Sequence, residues 1–312
     1  MNPEVSIIIV NWNTRDYLKQ CLQAIRDNVK DTIYEVIVVD NNSQDGSVDM
    51  VRNDFPEVKL IKNTTNLGFA KANNQAIILS KGEYVLILNP DTIVFSKVIE
   101  DMVKFMDKHP KAGACGPKLL DGNGKVVFPG VFFPTLKEGF GRDTILRKIF
   151  PALFSDDREK RFDCDKIQKV ERLYGCCMLV RRKTIEQVGL MDERMFLSFE
   201  EPEWCLRMQK NWEIYYFPQV QIIHYGAQSK LQINQLEAYL HARRSEYVFY
   251  RKRYGIIPVL FLRFLVAVSS VFGLVKWLWI GLIKENTEIY QKISFYKALL
   301  EVSSGIRKKY KT

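Results

Sequence analysis

Short apolar runs alternate with helix-spaced segments through the early part of the chain. Residues 5–10 (VSIIIV) are an almost unbroken β-branched run, the mark of a strand buried on both faces. Residues 16–28 then place Leu18, Cys21, Leu22 and Ile25 on one helical face, with Thr14 where a cap is expected. A second buried strand is predicted at 35–39 (EVIVV), a helix after it to about Asn53, and a short strand at 58–61. Asn66-Leu67-Gly68-Phe69-Ala70 opens a helix that runs through Ser80. Residues 85–88 (VLIL), bounded by Gly82 and Pro90, are too short for a helix and read as a buried strand. Strands alternating with helices imply right-handed crossovers, hence an α/β fold with a mainly parallel sheet flanked by helices.

Each strand stops at a polar tip. Asn11, Asp40, Asn66, Asn89 and Asp91 therefore fall on one edge of the sheet. In open α/β sheets, ligands bind outside the carboxyl ends of the strands. Asp91, with the Asn89 amide beside it, is suited to a hard cation bound through oxygen. The same residues also make an ordinary Asn-Pro-Asp turn. Asp40 is placed to accept from a ribose hydroxyl or a base N–H, while residues 40–47 (DNNSQDGS) also read as a turn with a helix cap. No Gly-x-Gly-x-x-Gly follows the first strand and no Gly-x-x-x-x-Gly-Lys-Ser/Thr occurs. Phosphates are then not cradled by a glycine loop, and a cation on Asp91 is the candidate to neutralise them.

Four segments in order, SIIIVNWN, VIVVDNNSQDGS, NLGFAKANNQAI and LILNPDT, resemble the family 2 glycosyltransferases of GT-A fold. The Asn-Pro-Asp form resembles that family's rhamnosyltransferase-like branch. The resemblance implies a nucleoside-diphosphate sugar donor held by Asn11, Asp40, Asn42, Asn66, Gly68, Asn73 and Asn89. It also implies a divalent cation, Mg or Mn, at Asp91. Asn89 replaces a carboxylate that the family more often carries, which lowers the charge of the site and leaves metal dependence as an expectation.

Beyond this region, 98–105 reads as a helix, 112–118 (AGACGPK) resembles the family's next strand, and Asp121-Gly122-Asn123-Gly124 is a turn. Residues 131–170 are poorly patterned, and acceptor-facing or mobile structure is expected there. Residues 175–182 (GCCMLVRR), 188–193 (VGLMDE) and 195–207 (MFLSFEEPEWCLR) together resemble the family's acceptor-side region. On the residues alone, acids around Pro202 simply suit a helix start. The resemblance assigns Glu201 as the base, with Asp192 and Glu200 on the acceptor side and Glu203 a weaker candidate. Sugar transfer with inversion needs such a base to take the proton of the acceptor hydroxyl. His224 ends the apolar run 220–223 in a stretch similar to a His-x-x-Gly-x-Ser pattern, with Ala227 in place of the glycine and Ser229 retained. It is implied as a partner of Asp91 at the metal or diphosphate; a strand-end histidine also serves structure alone.

The C-terminal part changes character. Residues 236–254 read as a basic amphipathic helix with Arg243, Arg244, Arg251, Lys252 and Arg253. In 256–283 the charged residues are Arg263 and Lys276, with Trp277 and Trp279 suited to an interface. The segment either crosses a bilayer once or lies in its surface, or it forms a buried helical hairpin. The basic end (Arg307, Lys308, Lys309, Lys311) would add attraction to anionic lipid. The expected domains are a GT-A domain over 1–235 and a membrane-attachment region over 236–312.

Composition narrows this further. With 47% hydrophobic and 26% charged residues over 312 positions, the chain is an ordinary folded protein. The net charge of +10 suits nucleic acid, anionic membrane or phosphorylated ligands, and its position beside the apolar tail points to lipid and away from nucleic acid. The six cysteines lack Cys-x-x-Cys spacing and are expected as reduced packing groups. No secretory signal is expected at the N-terminus. The combined expectation is an inverting glycosyltransferase at the cytoplasmic face of a bacterial-type membrane, acting on a glycan or lipid-linked acceptor in cell-surface polysaccharide synthesis. Two alternatives remain: a non-catalytic sugar-nucleotide-binding scaffold, and a nucleotidyltransferase, which the lack of a glycine-rich basic phosphate loop disfavours.

Overall fold

The computed structural model describes residues 2–144, 146–154, 158–226, 228, 234–284 and 286–305. The chain divides into two compact units: Met1–Phe133 with Arg158–Ile233, and Pro134–Asp157 with Asn234–Thr312.

The first unit is built on one sheet. Its first strands are β1 (Val5–Asn11), β2 (Tyr34–Asp40), β3 (Lys59–Lys62) and β4 (Tyr84–Leu88), all parallel, in the order β3-β2-β1-β4. Helices α1 (Arg15–Asn28), α2 (Ser47–Asp54) and α3 (Phe69–Leu79) connect them. All seven positions of β1 and all five of β4 are buried, as continuous apolar runs demand of central strands. Beyond β4 the order continues through β9 (Cys177–Arg181), β6 (Ala112–Leu120), β10 (Glu213–His224) and β5 (Thr92–Val94). Short strands β7 (Val126–Val127) and β8 (Gln168–Lys169) pair with β6 and β10.

The sheet is mixed, which corrects the expectation of a mainly parallel one. β9 is antiparallel to both β4 and β6, and β5, β7 and β8 are antiparallel to their neighbours. The physical reason lies in the connections. The chain reaches β9 from β8 without an intervening helix, and a parallel neighbour needs a crossover of that kind. β9 therefore starts at the edge where the parallel strands end, with Cys177 opposite Leu88.

Helix α4 (Val98–Lys108) runs a turn longer than the pattern suggests and buries Ile99, Met102, Val103 and Met106 in the core. Helices α7 (Arg182–Val188) and α8 (Glu200–Met208) complete the unit. The six cysteines are unpaired thiols, five of them buried. Burial pushes Cys21 and Cys205 up to about 12, the state of packing groups rather than nucleophiles.

The second unit is helical. Residues 134–157 contribute α5 (Leu136–Gly141) and α6 (Leu146–Ile149). The rest supplies α9 (Gln235–Tyr254), α10 (Ile256–Gly281) and α11 (Thr287–Ser304). α9 corrects the expectation of a helix with a simple basic outer face. Arg243 is only 2% exposed and Glu246 is fully buried. The Arg243 guanidinium donates to both Glu246 and Asp143, so its charge is neutralised inside the unit. Tyr250 donates to the Thr135 carbonyl at 2.7 Å, which ties the inserted segment to the same helix.

Candidate active site

The first two strand tips are neighbours in register, Asn11 opposite Asp40, and both side chains are buried. Asn11 Nδ2 donates to Asp40 Oδ2 at 3.0 Å and to Ser43 Oγ at 3.1 Å. Asp40 Oδ1 accepts from the Ser43 backbone N–H at 2.9 Å. Thr14 flanks α1 but does not cap it; its hydroxyl donates to Asn11 Oδ1 at 2.7 Å. Asp40 is thus the brace that shapes the loop after β2. Asn13 (φ 52°) and Asn42 (φ 66°) take left-handed conformations that asparagine tolerates best among non-glycine residues. Asn42 lies half-exposed at the surface of that loop, where Gln44 Nε2 donates to its carbonyl oxygen.

The loop before α3 is held by asparagines. Asn66 Oδ1 accepts from Gly68 N–H at 2.9 Å, and Asn41 Nδ2 donates to the Gly68 carbonyl. Asn63 in turn donates to Asn41 Oδ1. Gly68 sits at φ +80°, and a Cβ there would lie 2.5 Å from the Phe196 carbonyl oxygen. The Phe69 N–H donates to that same oxygen at 3.0 Å, so the loop preceding α8 is seated on the start of α3. Asn73 is fully buried and donates to the Phe69 carbonyl. Asn74, which sequence reasoning missed, exchanges hydrogen bonds with the Met191 backbone and adds one to Glu193. The signal available was the doubled asparagine at 73–74, since one helical asparagine rarely needs an identical neighbour.

At the central tip, Asp91 and His224 meet although 133 positions separate them in the chain, because β5 and β10 pair with His224 opposite Thr92. His224 Nε2 lies 3.4 Å from Asp91 Oδ1 and 3.5 Å from Asn89 Nδ2. Asp91 Oδ2 accepts from the Gln228 N–H at 3.1 Å. Burial opposes charge on His224, but its hydrogen bonds to Asp91 and Cys176, with the nearby charge, hold it up at about 10. Burial would likewise raise Asp91, yet the His224 contact and the Gln228 N–H keep it below the ordinary range. Both directions favour the charged form of each partner in the absence of a ligand. Ala227 and Ser229 of the histidine pattern lie outside the described residues.

Glu201 stands in the first turn of α8, and its Oε1 accepts from the Gly175 N–H at 3.1 Å. A Cβ at Gly175 would sit 2.6 Å from that oxygen, so glycine is what lets the carboxylate approach. The next residue, Cys176, accepts the Asn89 N–H on its carbonyl at 2.9 Å. The start of β9 therefore links Glu201 to the tip that carries Asn89, Asp91 and His224. Gly175 and Cys176 open the run that resembles the acceptor-side region, but their contacts exist only once β9 inserts beside β4. Ser198 (φ 67°) and Phe199 (φ 69°) are consecutive left-handed residues just before α8, a strained approach found where geometry matters. Glu200 is buried beside Glu201. Glu203 is paired through both oxygens with Arg207, which also holds the carbonyls of Val188 and Leu190, so it braces α8 against α7. Asp192 forms a two-pronged ion pair with Arg194.

The Glycosyl transferase family 2 pattern matches residues 6–189, more than half of the chain and the part that carries Asn11, Asp40, Asn66, Asn89 and Asp91, with Glu201 and His224 beyond it. The chain belongs to glycosyl transferase family 2. As a member of that family it is a glycosyltransferase, moving a sugar from a nucleoside-diphosphate donor to an acceptor. It is 27% identical over 269 residues to the N-acetylglucosaminyl-diphospho-decaprenol L-rhamnosyltransferase of Mycobacterium tuberculosis, covering 82% of this chain and 86% of the relative. It is 25% identical over 312 residues to the dTDP-rhamnosyl transferase RfbF of Shigella flexneri, covering 98% and 97%. In fold it is similar to the mannosyltransferase PcManGT of Pyrobaculum calidifontis, solved with GDP-Man and Mn2+ (TM-score 0.52, 14% identity, 97% of this chain and 87% of that one). It is also similar in fold to S. aureus TarS (TM-score 0.53, 15% identity, 99% and 93%).

The residues present fit a cation only as part of a shared shell. Among the described residues, no group of three His, Cys, Asp or Glu side chains converges to hold a metal. Mg2+, however, is commonly bound through one or two carboxylates while substrate phosphates supply further oxygens, and Asp91 beside His224 meets that lesser demand.

Proposed function

We propose that this glycosyltransferase moves a deoxyhexose of the rhamnose type, with inversion, from a nucleoside-diphosphate donor to a hydroxyl of a lipid-linked glycan. The observation that carries the reading is the Glu201–Gly175 hydrogen bond, one residue before Cys176 receives the Asn89 N–H. It puts a carboxylate on the same short segment that adjoins the Asp91–His224 pair. Glu201 takes the proton of the acceptor hydroxyl as that oxygen bonds to the anomeric carbon. The bond from the anomeric carbon to the diphosphate oxygen breaks, and the electron pair leaves with the diphosphate. Asp91 would hold a divalent cation, joined by His224 once the imidazole has given up its proton, and the cation when bound supplies positive charge to the leaving diphosphate. The tip residues Asn11, Asp40, Asn42, Asn66, Gly68, Asn73 and Asn89 shape the donor-binding edge, with Asp192 and Glu200 on the acceptor side. The rhamnosyl names of two relatives that cover most of the chain support the donor sugar, and the diphospho-decaprenol of one supports the lipid-linked acceptor.

The long apolar helix of the helical unit supports action at a membrane, and the reading assigns its cytoplasmic face. α10 is long and apolar enough to cross a bilayer by length and composition. The test is a thermal-shift series against UDP-, dTDP- and GDP-sugars with and without Mg2+ or Mn2+, followed by transfer assays with the donor that binds. A ligand that binds only the folded state raises the melting temperature. A shift for a dTDP-deoxyhexose that grows with metal supports the reading. A shift for another donor alone overturns the sugar assignment.

A further inference from the structure

We infer that α10 and α11 form an in-plane membrane anchor, a helical hairpin that lies in one leaflet with α10 downward and does not cross the bilayer. This rests on the membrane attachment proposed above and specifies its mode. The exposed apolar side chains of α10 run its whole length, from Ile257 through Phe264 (62% exposed) and Phe272 (63% exposed) to Trp279. Its buried side chains, Val259, Leu262, Val266 and Ser270, follow helical spacing on the other side. A water-soluble surface does not leave so large a continuous apolar face uncovered.

Three observations set the mode. First, α10 does not stand alone. Gly273 receives the Tyr296 ring so closely that a Cβ would lie 2.4 Å from it, and Arg263 Nε donates to the Ser303 carbonyl at 2.8 Å. Second, α11 carries Glu288, Lys292 and Lys297 exposed to solvent. If α10 crossed the bilayer it would draw these charges into hydrocarbon, where charged side chains are costly and rare. Third, the uncharged stretch between Arg263 and Lys276 spans only about 18 Å at 1.5 Å per residue, against a hydrocarbon core of about 30 Å. A hairpin with an apolar lower face and a charged upper face satisfies all three when it lies at the headgroup boundary. Exposed Arg251, Lys252, Lys276 and Lys284 flank the apolar face, so the partner surface is anionic lipid.

The experiment uses the full chain and vesicles of phosphatidylcholine with or without phosphatidylglycerol. Flotation is expected with the anionic vesicles and falls by about tenfold or more in Phe264→Glu/Phe272→Glu, two exposed positions whose change leaves the packed face intact. Far-UV circular dichroism and donor thermal shift verify that this variant is folded. Depth is then read by nitroxide labels at Ile257→Cys, Phe264→Cys, Phe272→Cys and Trp279→Cys, each in a Cys164→Ser background because Cys164 is the half-exposed native thiol among the described residues. An in-plane hairpin gives one shallow depth, about 5–10 Å, at all four positions. A depth that reaches the bilayer midplane at 264 and 272 and returns towards the surface at 257 and 279 overturns the in-plane mode while leaving attachment standing. No flotation on either vesicle overturns attachment itself, and a dimer in light scattering would then assign the face to a second copy of the chain.

Discussion

The two units of this protein distribute charge and apolar surface in opposite ways. In the sheet unit the apolar runs are inside, and polar groups gather at the edge where the strands end. In the helical unit the Arg243–Glu246–Asp143 cluster is inside, and the apolar face of α10 is outside. Both arrangements obey one rule: a group is buried only with a partner that satisfies it, and is exposed towards the medium that suits it. At the sheet edge that medium is a polar substrate; around α10 it is lipid. The comparison also separates two kinds of buried charge. The Arg243 cluster is balanced by charges of its own unit, with Arg142 also 3.7 Å from Glu246, whereas the Asp91–His224 pair stands at a strand edge with Asn89 and Cys176 beside it.

The sharpest break in this picture is at the base. Glu201→Gln keeps the shape of α8 and the Gly175 hydrogen bond but cannot take a proton. Transfer is expected to fall by about 10²- to 10⁴-fold while the donor thermal shift stays near that of the native protein. Retained transfer in a steady-state assay would move the base elsewhere. In the helical unit, Arg243→Met leaves Asp143 and buried Glu246 without their common cation. Urea unfolding should show a loss of about 3–5 kcal/mol. A loss near zero would mean that the cluster is wetter than its burial indicates.

A smaller effect is expected at Gly68→Ala. The new Cβ meets the Phe196 carbonyl and requires a left-handed conformation, so stability should fall by about 1–3 kcal/mol, with weaker donor binding in the same titration. The smallest perturbation is pH alone. His224 is held at about 10 against an ordinary value near 6.5. The stabilisation it gains is fully present below the unfolded value of about 6.5 and is lost as pH rises through about 10. In metal-free, donor-free protein, imidazole NMR signals should stay in the protonated position at pH 8; a midpoint near 6.5 would break the assigned pairing with Asp91.

Much of the sheet unit was legible from the residues. Continuous runs such as VSIIIV and VLIL admit no exposed face, and polar residues that stop them must lie at an edge. His224 was legible for the same reason, as a polar residue ending an apolar strand. The direction of β9 was not, because a five-residue apolar run has no polarity of its own and the connection before it has no pattern. Gly175 stood in the acceptor-side run, yet its reason for being glycine was not legible, because the Glu201 carboxylate adjoins it only in the fold. Arg243 was misread as a surface cation. Helical spacing reports hydrophobicity, and a buried ion pair with Glu246, three positions along the same helix, is indistinguishable by spacing from an exposed one.

The antiparallel β9 also governs how the protein is made. It lies in the sheet between β4 and β6, both of which precede it in the chain. While the chain emerges from the ribosome, β1 to β4 gain their parallel partners early, yet β4 keeps an unpaired apolar edge until Arg181 has been synthesised. Such an edge is a template for wrong pairing. The insertion of β9 closes that edge and brings Gly175 and Cys176 to the strand tips, and Glu201 and His224 join them only when the later α8 and β10 have been made.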